Sequence, residues 1–272
     1  MIKEIEIKSI GYEDLIETIY FGGGTPSLLS IIEIDSLIKA VIDNFKISKK
    51  PEITLEANPD DLNTSKLKEL SNSLINRLSI GIQSFNDQDL KLMNRSHNSF
   101  DSINCIDNSL KYFDNISIDL IYGMPNSNLI SWEKNLNLAL NWDLNHISAY
   151  ALTVEPKTAL EKYIQKEIIL PLDEEFVYDQ FNLMYDKLLD LNYINYELSS
   201  FAKKGYFSKN NSGYWLGKKY VGIGPSSHSF DGFSRSWNVS NNKLYVSDIQ
   251  NNKMYHQKEK LTHVDQYNEY IM

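Results

Sequence analysis

The chain has one cysteine, Cys105, in 272 residues. A single thiol cannot close an intramolecular disulfide, build a structural zinc site or supply the usual iron–sulfur ligand set. Cys105 lies in the helix-like stretch Ser102-Ile103-Asn104-Cys105-Ile106-Asp107, where a small buried side chain accounts for it better than a reactive thiol. Basic charge is also scarce. Lys and Arg number 27 against 36 Asp and Glu, a net charge of −9, which speaks against a general nucleic-acid binder with a basic face. No apolar run approaches the roughly 18 residues of a transmembrane helix. The opening Met1-Ile2-Lys3-Glu4-Ile5-Glu6 is charged and alternating, unlike a signal peptide. The expectation is a cytoplasmic protein. The histidines His97, His146, His228, His256 and His263 show no metal-ligand spacing and read as structural.

The bulk composition is that of a globular chain, 42% hydrophobic and 23% charged, long enough for one large or two small domains. Asn, Lys, Ile and Tyr are abundant, and runs such as Ser240-Asn241-Asn242-Lys243 read as compositional bias. From residue 15 to residue 151 strand and helix patterns alternate. Strands are predicted over 18–21, 52–57, 77–82, 116–122 and 146–152. Helices are predicted over 32–45, 63–74 with Asn63 as cap, 87–93, 100–113 and 129–140. No hairpin signal joins the strands, so the units are βα and the sheet is parallel. A closed or nearly closed barrel is the leading architecture, and an open doubly wound sheet is the alternative. After residue 152 the rhythm changes. A long amphipathic helix is predicted over 174–191 and a strand over 194–198, followed by a Gly/Ser/Asn/Tyr-rich region over 199–233.

The strand ends carry the chemistry. The first strand runs into Gly22-Gly23-Gly24-Thr25-Pro26, where bare backbone N–H groups can touch a ligand at a strand–helix turn. A tight βα turn explains three glycines equally well. Glu56 ends the second strand, Gln83 the third, Asp119 lies in the fourth, and Tyr150-Ala151-Leu152-Thr153-Val154-Glu155-Pro156 ends the fifth. In a βα barrel these tips converge on one mouth. Carboxylates there accept from ribose hydroxyls or an ammonium, Gln83 both donates and accepts, and Arg95 can pair with a ligand carboxylate. Such a set suits a zwitterionic, nucleoside-like ligand. The bland readings are a dipole-stabilised Glu56 and a solvated Arg95. Asp119 in an apolar strand is harder to explain without a function, because an unpaired buried carboxylate is costly.

In order, residues 21–30, 52–60, 78–85, 93–97, 118–125 and 149–158 resemble the radical S-adenosylmethionine domain of the oxygen-independent coproporphyrinogen III oxidase-like family, and within it the heme-chaperone branch. The resemblance covers essentially the whole chain. It implies a partial (β/α) TIM-like barrel. It also implies S-adenosylmethionine contacts from Gly22, Gly23, Gly24, Thr25, Pro26, Glu56, Gln83, Arg95, Asp119 and Ala151. The segment 222–228 matches a later strand that closes over the site.

Three departures qualify what the resemblance implies. The family's CxxxCxxC loop, which holds a 4Fe-4S cluster through thiolates, and the strand before it have no counterpart here. Cys105 matches none of the loop's positions. The chain also stops, at Glu269-Tyr270-Ile271-Met272, where the family leads into a helical C-terminal domain. The His-Asn-x-x-Tyr motif linked to heme reads Asn210-Asn211-Ser212-Gly213-Tyr214. An amide does not replace imidazole as an axial iron ligand, and His228 is the nearby alternative. The expected organisation is an incomplete barrel core over 1–198, then barrel-closing strands and the start of a truncated C-terminal region over 199–272.

Three readings follow. One is a fragment of a heme chaperone that handles S-adenosylmethionine, a 4Fe-4S cluster and heme or another porphyrin, with an unidentified heme-accepting partner. The second is a coproporphyrinogen III dehydrogenase, which oxidatively decarboxylates propionates. The third is a cluster-free S-adenosylmethionine-binding or interaction module. A barrel without its first strand would leave the edge at Ile19 to Phe21 open, which predicts poor solubility or self-association for this chain alone.

Overall fold

The computed structural model describes residues 1–125, 127–154, 156, 158–169, 173–253 and 257–271. In chain order the elements are α1 (Ile2–Ser9), β1 (Ile16–Phe21), α2 (Ile31–Asn44), β2 (Ile47–Ala57), α3 (Thr64–Ser71), β3 (Arg77–Gln83), α4 (Asp87–Leu92), α5 (Ser99–Ser109), β4 (Ile116–Tyr122), α6 (Leu129–Leu140) and β5 (His146–Ala151). They continue with α7 (Ala159–Gln165), α8 (Glu174–Asp190), β6 (Ile194–Asn195), β7 (Ser200–Ala202), α9 (Lys209–Trp215), β8 (His228–Phe230), β9 (Ser234–Trp237), α10 (Asn242–Gln250), β10 (Gln257–Lys260) and α11 (His263–Ile271). Seven strands form one sheet in the order β1-β2-β3-β4-β5-β7-β6, with β1 at an edge. Parallel pairs join β2 to β5, and β7 returns antiparallel to β5. The sheet is curled into a partial barrel. The predicted strands and helices up to residue 151 are present, with shifted ends. β2 starts at Ile47 rather than at Glu52, and the helix expected to reach residue 113 stops at Ser109. The charged N-terminal stretch is a helix, and the strand expected over 194–198 is confined to Ile194–Asn195.

The chain divides into two compact units. One comprises Tyr20–Ile31 and Glu52–Ser208, the other Met1–Ile19, Ile32–Pro51 and Lys209–Met272. In the first unit the residues of β2 to β5 alternate between two faces, as the pleat requires, up to a register slip near the end of β3. Leu55, Leu78, Ile80, Ile116, Ile118 and Ile147 are fully buried on one face. The buried sides of α3, α5 and α6, including Leu67, Leu70, Ile106 and Leu136, supply the apolar counterpart. The other face carries Thr54, Glu56, Arg77, Ser79, Ser117, Asp119, His146 and Ser148, aligned by the strand register. TIM barrels usually fill this interior with Val, Ile and Leu. Here the hydrophobic core lies between sheet and helices, and the lumen is polar.

Helix starts are built locally. Asn63, Asn86, Asn98, Asn128 and Asn241 each accept a backbone N–H in the first turn of α3, α4, α5, α6 and α10. Each such cap stabilises its helix by about 1 kcal/mol. In the second unit Glu4 of α1 is 1% exposed, yet it is fully partnered. It pairs with Lys8 (2.8 Å) and accepts from Gly224 N (2.8 Å), Asn238 Nδ2 (2.6 Å) and the Tyr245 hydroxyl (2.6 Å). A buried carboxylate is tolerable only with such a donor set.

Candidate functional site

The tip of β1 meets the tip of β2 through Glu56. The Glu56 Oε1 accepts from the Tyr20 hydroxyl at 2.8 Å, and Oε2 accepts from Gly23 N at 3.1 Å. The glycines play different parts. A Cβ on Gly22 would sit 2.7 Å from the Tyr20 ring and 3.0 Å from Glu56 Oε1, so only glycine lets the loop lie against that pair. Gly23 and Gly24 take φ of +75° and +65°, and nothing lies within 4 Å of where their Cβ atoms would be. Their backbone is bare on the side a ligand would approach. Thr25 precedes a one-turn 3-10 segment, Pro26–Leu28, with proline at its first position. Ser27 Oγ then donates to Asp61 Oδ2 at 2.6 Å, fixing the segment to the chain after β2.

Gln83 ends β3 where the β3–β4 register slips, and it adopts φ +66°. A positive φ in a non-glycine residue costs of order 1 kcal/mol or more and persists only where its surroundings impose it. A Cβ at Gly81 would meet Gln83 Nε2 at 2.7 Å, so the glutamine folds back over its own strand. Arg95 follows α4. Its N–H bonds to Leu90 O, and neighbouring Ser96 donates to Asp60 Oδ2 at 2.6 Å, tying this segment to the end of β2. The Arg95 guanidinium makes no hydrogen bond or ion pair among the described residues. Ala151 ends β5 opposite Tyr122, and its carbonyl accepts from Thr153 Oγ1 at a long 3.4 Å. Glu155 and Lys157, in the same phrase, lie outside the described residues, as does His256.

Asp119 sits between Ser79 and Ser148 on the lumen face, with Ser79 Oγ at 3.5 Å. Burial, and after it the charge of Glu56, pushes its carboxyl up to about 7, while Arg77 pulls the other way. Tyr20 is raised for the same two reasons, burial first and Glu56 second. Tyr150 is pushed up to about 12 by burial and Asp119. The rim therefore holds Asp119, whose ionisation the Glu56 charge opposes, beside phenols that stay protonated. A cation brought there relieves the repulsion. Deeper in the lumen, Ser117 Oγ and His146 Nδ1 are 2.7 Å apart, and His146 Nε2 is 2.7 Å from the Tyr196 hydroxyl. Burial, and then Arg77, holds His146 well below its usual range, so the ring is neutral.

Tyr20, Arg77 and His146 were not singled out from the sequence as lumen groups. The signal was present in the alternation Glu52-Ile53-Thr54-Leu55-Glu56, Arg77-Leu78-Ser79-Ile80 and His146-Ile147-Ser148-Ala149. Cys105 is as expected a buried residue of α5, its thiol pushed up to about 12 by burial. His97 is buried with Nε2 3.1 Å from Ile82 O, a structural contact. In the other unit His228 stacks on Trp237 with ring centroids 5.6 Å apart. Asn210 accepts there from Thr18 Oγ1 at 3.2 Å. That unit also has a cleft of about 380 Å³ lined by Lys8, Lys219 and Lys258, but these pair with Glu4, Asp14 and Asp231 respectively. Among the described residues no group of three or more His, Cys, Asp or Glu is placed to hold a metal ion. None of the described helices is long and apolar enough to cross a membrane.

Comparison with known proteins bears on the family and the fold. The chain is 37% identical to the heme chaperone HemW of Bacillus subtilis over 246 residues, covering 89% of this chain and 64% of that protein. It is 41% identical to HemW of Buchnera aphidicola over 216 residues, covering 78% of this chain and 56% of that one. The chain thus spans less than two thirds of these relatives. Among solved structures, coproporphyrinogen III oxidase (HemN) from Escherichia coli superposes with a TM-score of 0.82 at 22% identity, over 99% of this chain and 66% of that one, which fixes the fold. A family model described as the Radical SAM superfamily matches residues 4–139, half of the sequence. The chain belongs to the radical SAM superfamily.

Proposed function

We propose that this chain is the S-adenosylmethionine-binding barrel of a HemW-like heme chaperone. The observation that carries the reading is the joined rim of β1 and β2, where Glu56 holds the Gly23 N–H and the Tyr20 hydroxyl beside Asp119. The exposed backbone of Gly23 and Gly24 fits close approach by a ligand, and the paired carboxylates fit a cation. Gly22 to Pro26 and Glu56 would receive the ammonium end of S-adenosylmethionine. Arg95, with its guanidinium uncommitted, would take the carboxylate. Gln83, Asp119 and the Ala151 backbone would line the nucleoside. S-adenosylmethionine supplies a sulfonium centre when bound. The residues here orient it and hold Tyr20 and Tyr150 protonated around it.

The residues present do not fit a 4Fe-4S cluster. Cluster ligation needs several thiolates, and the one thiol is buried in α5 with its pKa raised. No radical step is therefore assigned to this chain. Heme handling, transfer to a partner and a cytoplasmic location are part of the same proposal and rest on the similarity to HemW. The test is calorimetric titration of S-adenosylmethionine into the chain and into its Glu56→Gln variant. Saturable binding that weakens about tenfold or more in the variant is expected. Absence of binding to a folded wild-type chain would refute the reading.

A further inference from the structure

Arg77 opens β3 on the lumen face, in register with Thr54 of β2. It is 2% exposed, and its Nε–H has no acceptor. Thr54, 1% exposed, has an Oγ1 that is likewise without a partner. The two orphaned groups are cross-strand neighbours. The charge of Arg77 is felt by Asp119 and His146, yet among the described residues its Nε–H is left without an acceptor. The polar groups around it are committed elsewhere, Ser117 and Tyr196 to His146, and Ser148 to Ser200 at 3.2 Å. A buried guanidinium N–H and a buried hydroxyl left unpaired on neighbouring strands are the reverse of what folding alone selects.

We propose that Arg77 and Thr54 form the floor of a binding subsite for an organic carboxylate, one layer deeper in the barrel than Glu56 and Asp119. Strand geometry sets the depth, because Arg77 precedes Ser79, the residue in register with Glu56, by two positions or about 7 Å. The guanidinium edge bearing Nε–H presents parallel donors that match a two-oxygen planar anion, and the threonine hydroxyl adds a third donor. Glu52, Glu56 and Asp119 lie on the same face, so the surroundings favour a monoanion over a phosphate dianion. The subsite does not depend on the S-adenosylmethionine reading, since none of that ligand's proposed contacts belongs to it.

The chain holds three arginines, Arg77, Arg95 and Arg235. With ¹⁵N-arginine labelling, each Nε–H gives its own signal; Arg95→Lys and Arg235→Lys serve for assignment alone, and the titrations use the wild-type chain unless a variant is named. Acetate is titrated at constant ionic strength against chloride, with and without S-adenosylmethionine. The Arg77 signal should move saturably with acetate and not with chloride. Thr54→Val should raise the apparent Kd at least threefold while the Arg77 signal itself persists, which reports an intact fold. A shift produced by S-adenosylmethionine alone, abolishing the acetate response, would identify that ligand's own carboxylate as the occupant. A persistent response would indicate a separate carboxylate. An Arg77 signal indifferent to both, or moved equally by chloride, would overturn the proposal.

Discussion

Asparagine in place of Asp119 should make the protein more stable at alkaline pH and change little at acid pH. The folded carboxyl holds its proton up to about 7, against an ordinary 3.8. Between those values the folded state binds more protons than the unfolded state, so stability falls as pH rises. The contribution is fully favourable below about 4 and lost above about 7. A difference of roughly three units at about 1.4 kcal/mol each sets an upper bound near 4 kcal/mol. Asp119 is only partly shielded from solvent, so about 2 kcal/mol is the working figure. Asparagine keeps the shape and can still accept from Ser79 and Ser148 while removing the charge opposite Glu56. Urea melts of both proteins at pH 4.5, 6 and 8.5 measure the effect. The gain should grow with pH and reach about 2 kcal/mol at pH 8.5, with an unchanged m-value. A gain independent of pH, or a loss at pH 8.5, would refute the electrostatic argument. The same substitution should weaken S-adenosylmethionine binding, because a carboxylate kept at such a cost is being kept for a ligand.

Gly22→Ala and Gly23→Ala should separate two functions of the glycine loop. The first forces Tyr20 and Glu56 apart and should lower stability by about 2 kcal/mol. The second meets open space, costs about 1 kcal/mol for its positive φ, and should impair ligand binding more than folding. Thermal melts and calorimetry on both variants check the contrast. Cys105 should resist iodoacetamide at pH 8 in the native protein and react fully in urea, followed by mass spectrometry. Fast native labelling would contradict its burial and raised pKa. Asn210→His should confer a Soret shift on added heme that the parent chain lacks at that position, if the Asn210 to Tyr214 helix presents the position as the family motif does. An unchanged titration would separate this segment from heme.

The barrel was legible because its signal is local. Apolar periodicity, the Asn63 cap and the glycine turn each follow from a few neighbouring residues. The short strands β6 and β7 were not, because pairing to β5 across sequence, rather than their own composition, makes Ile194–Asn195 and Ser200–Ala202 strands. At the rim, Glu56, Gln83 and Asp119 were visible as polar residues where apolar ones were due. Their partners were not. Nothing in Tyr20 itself announces that its hydroxyl holds a carboxylate contributed 36 residues later. The alternation of the strands carried more than it was asked for. Read with period two, it shows which residues share the lumen, and it would have placed Arg77 beside Thr54.

The helix caps give the protein a chemical clock. Among the described residues five helices begin on an asparagine amide, and asparagine is among the residues that heat degrades, one reason hyperthermophilic proteins are poor in it. Slow deamidation would convert these caps to aspartate, which still accepts the same N–H and sits well against the helix dipole. Each event adds a negative charge to a chain already at −9. Ageing would then be seen as a ladder of more acidic species in an isoelectric gel before any loss of helix, with charge heterogeneity as the earlier sign of an old sample.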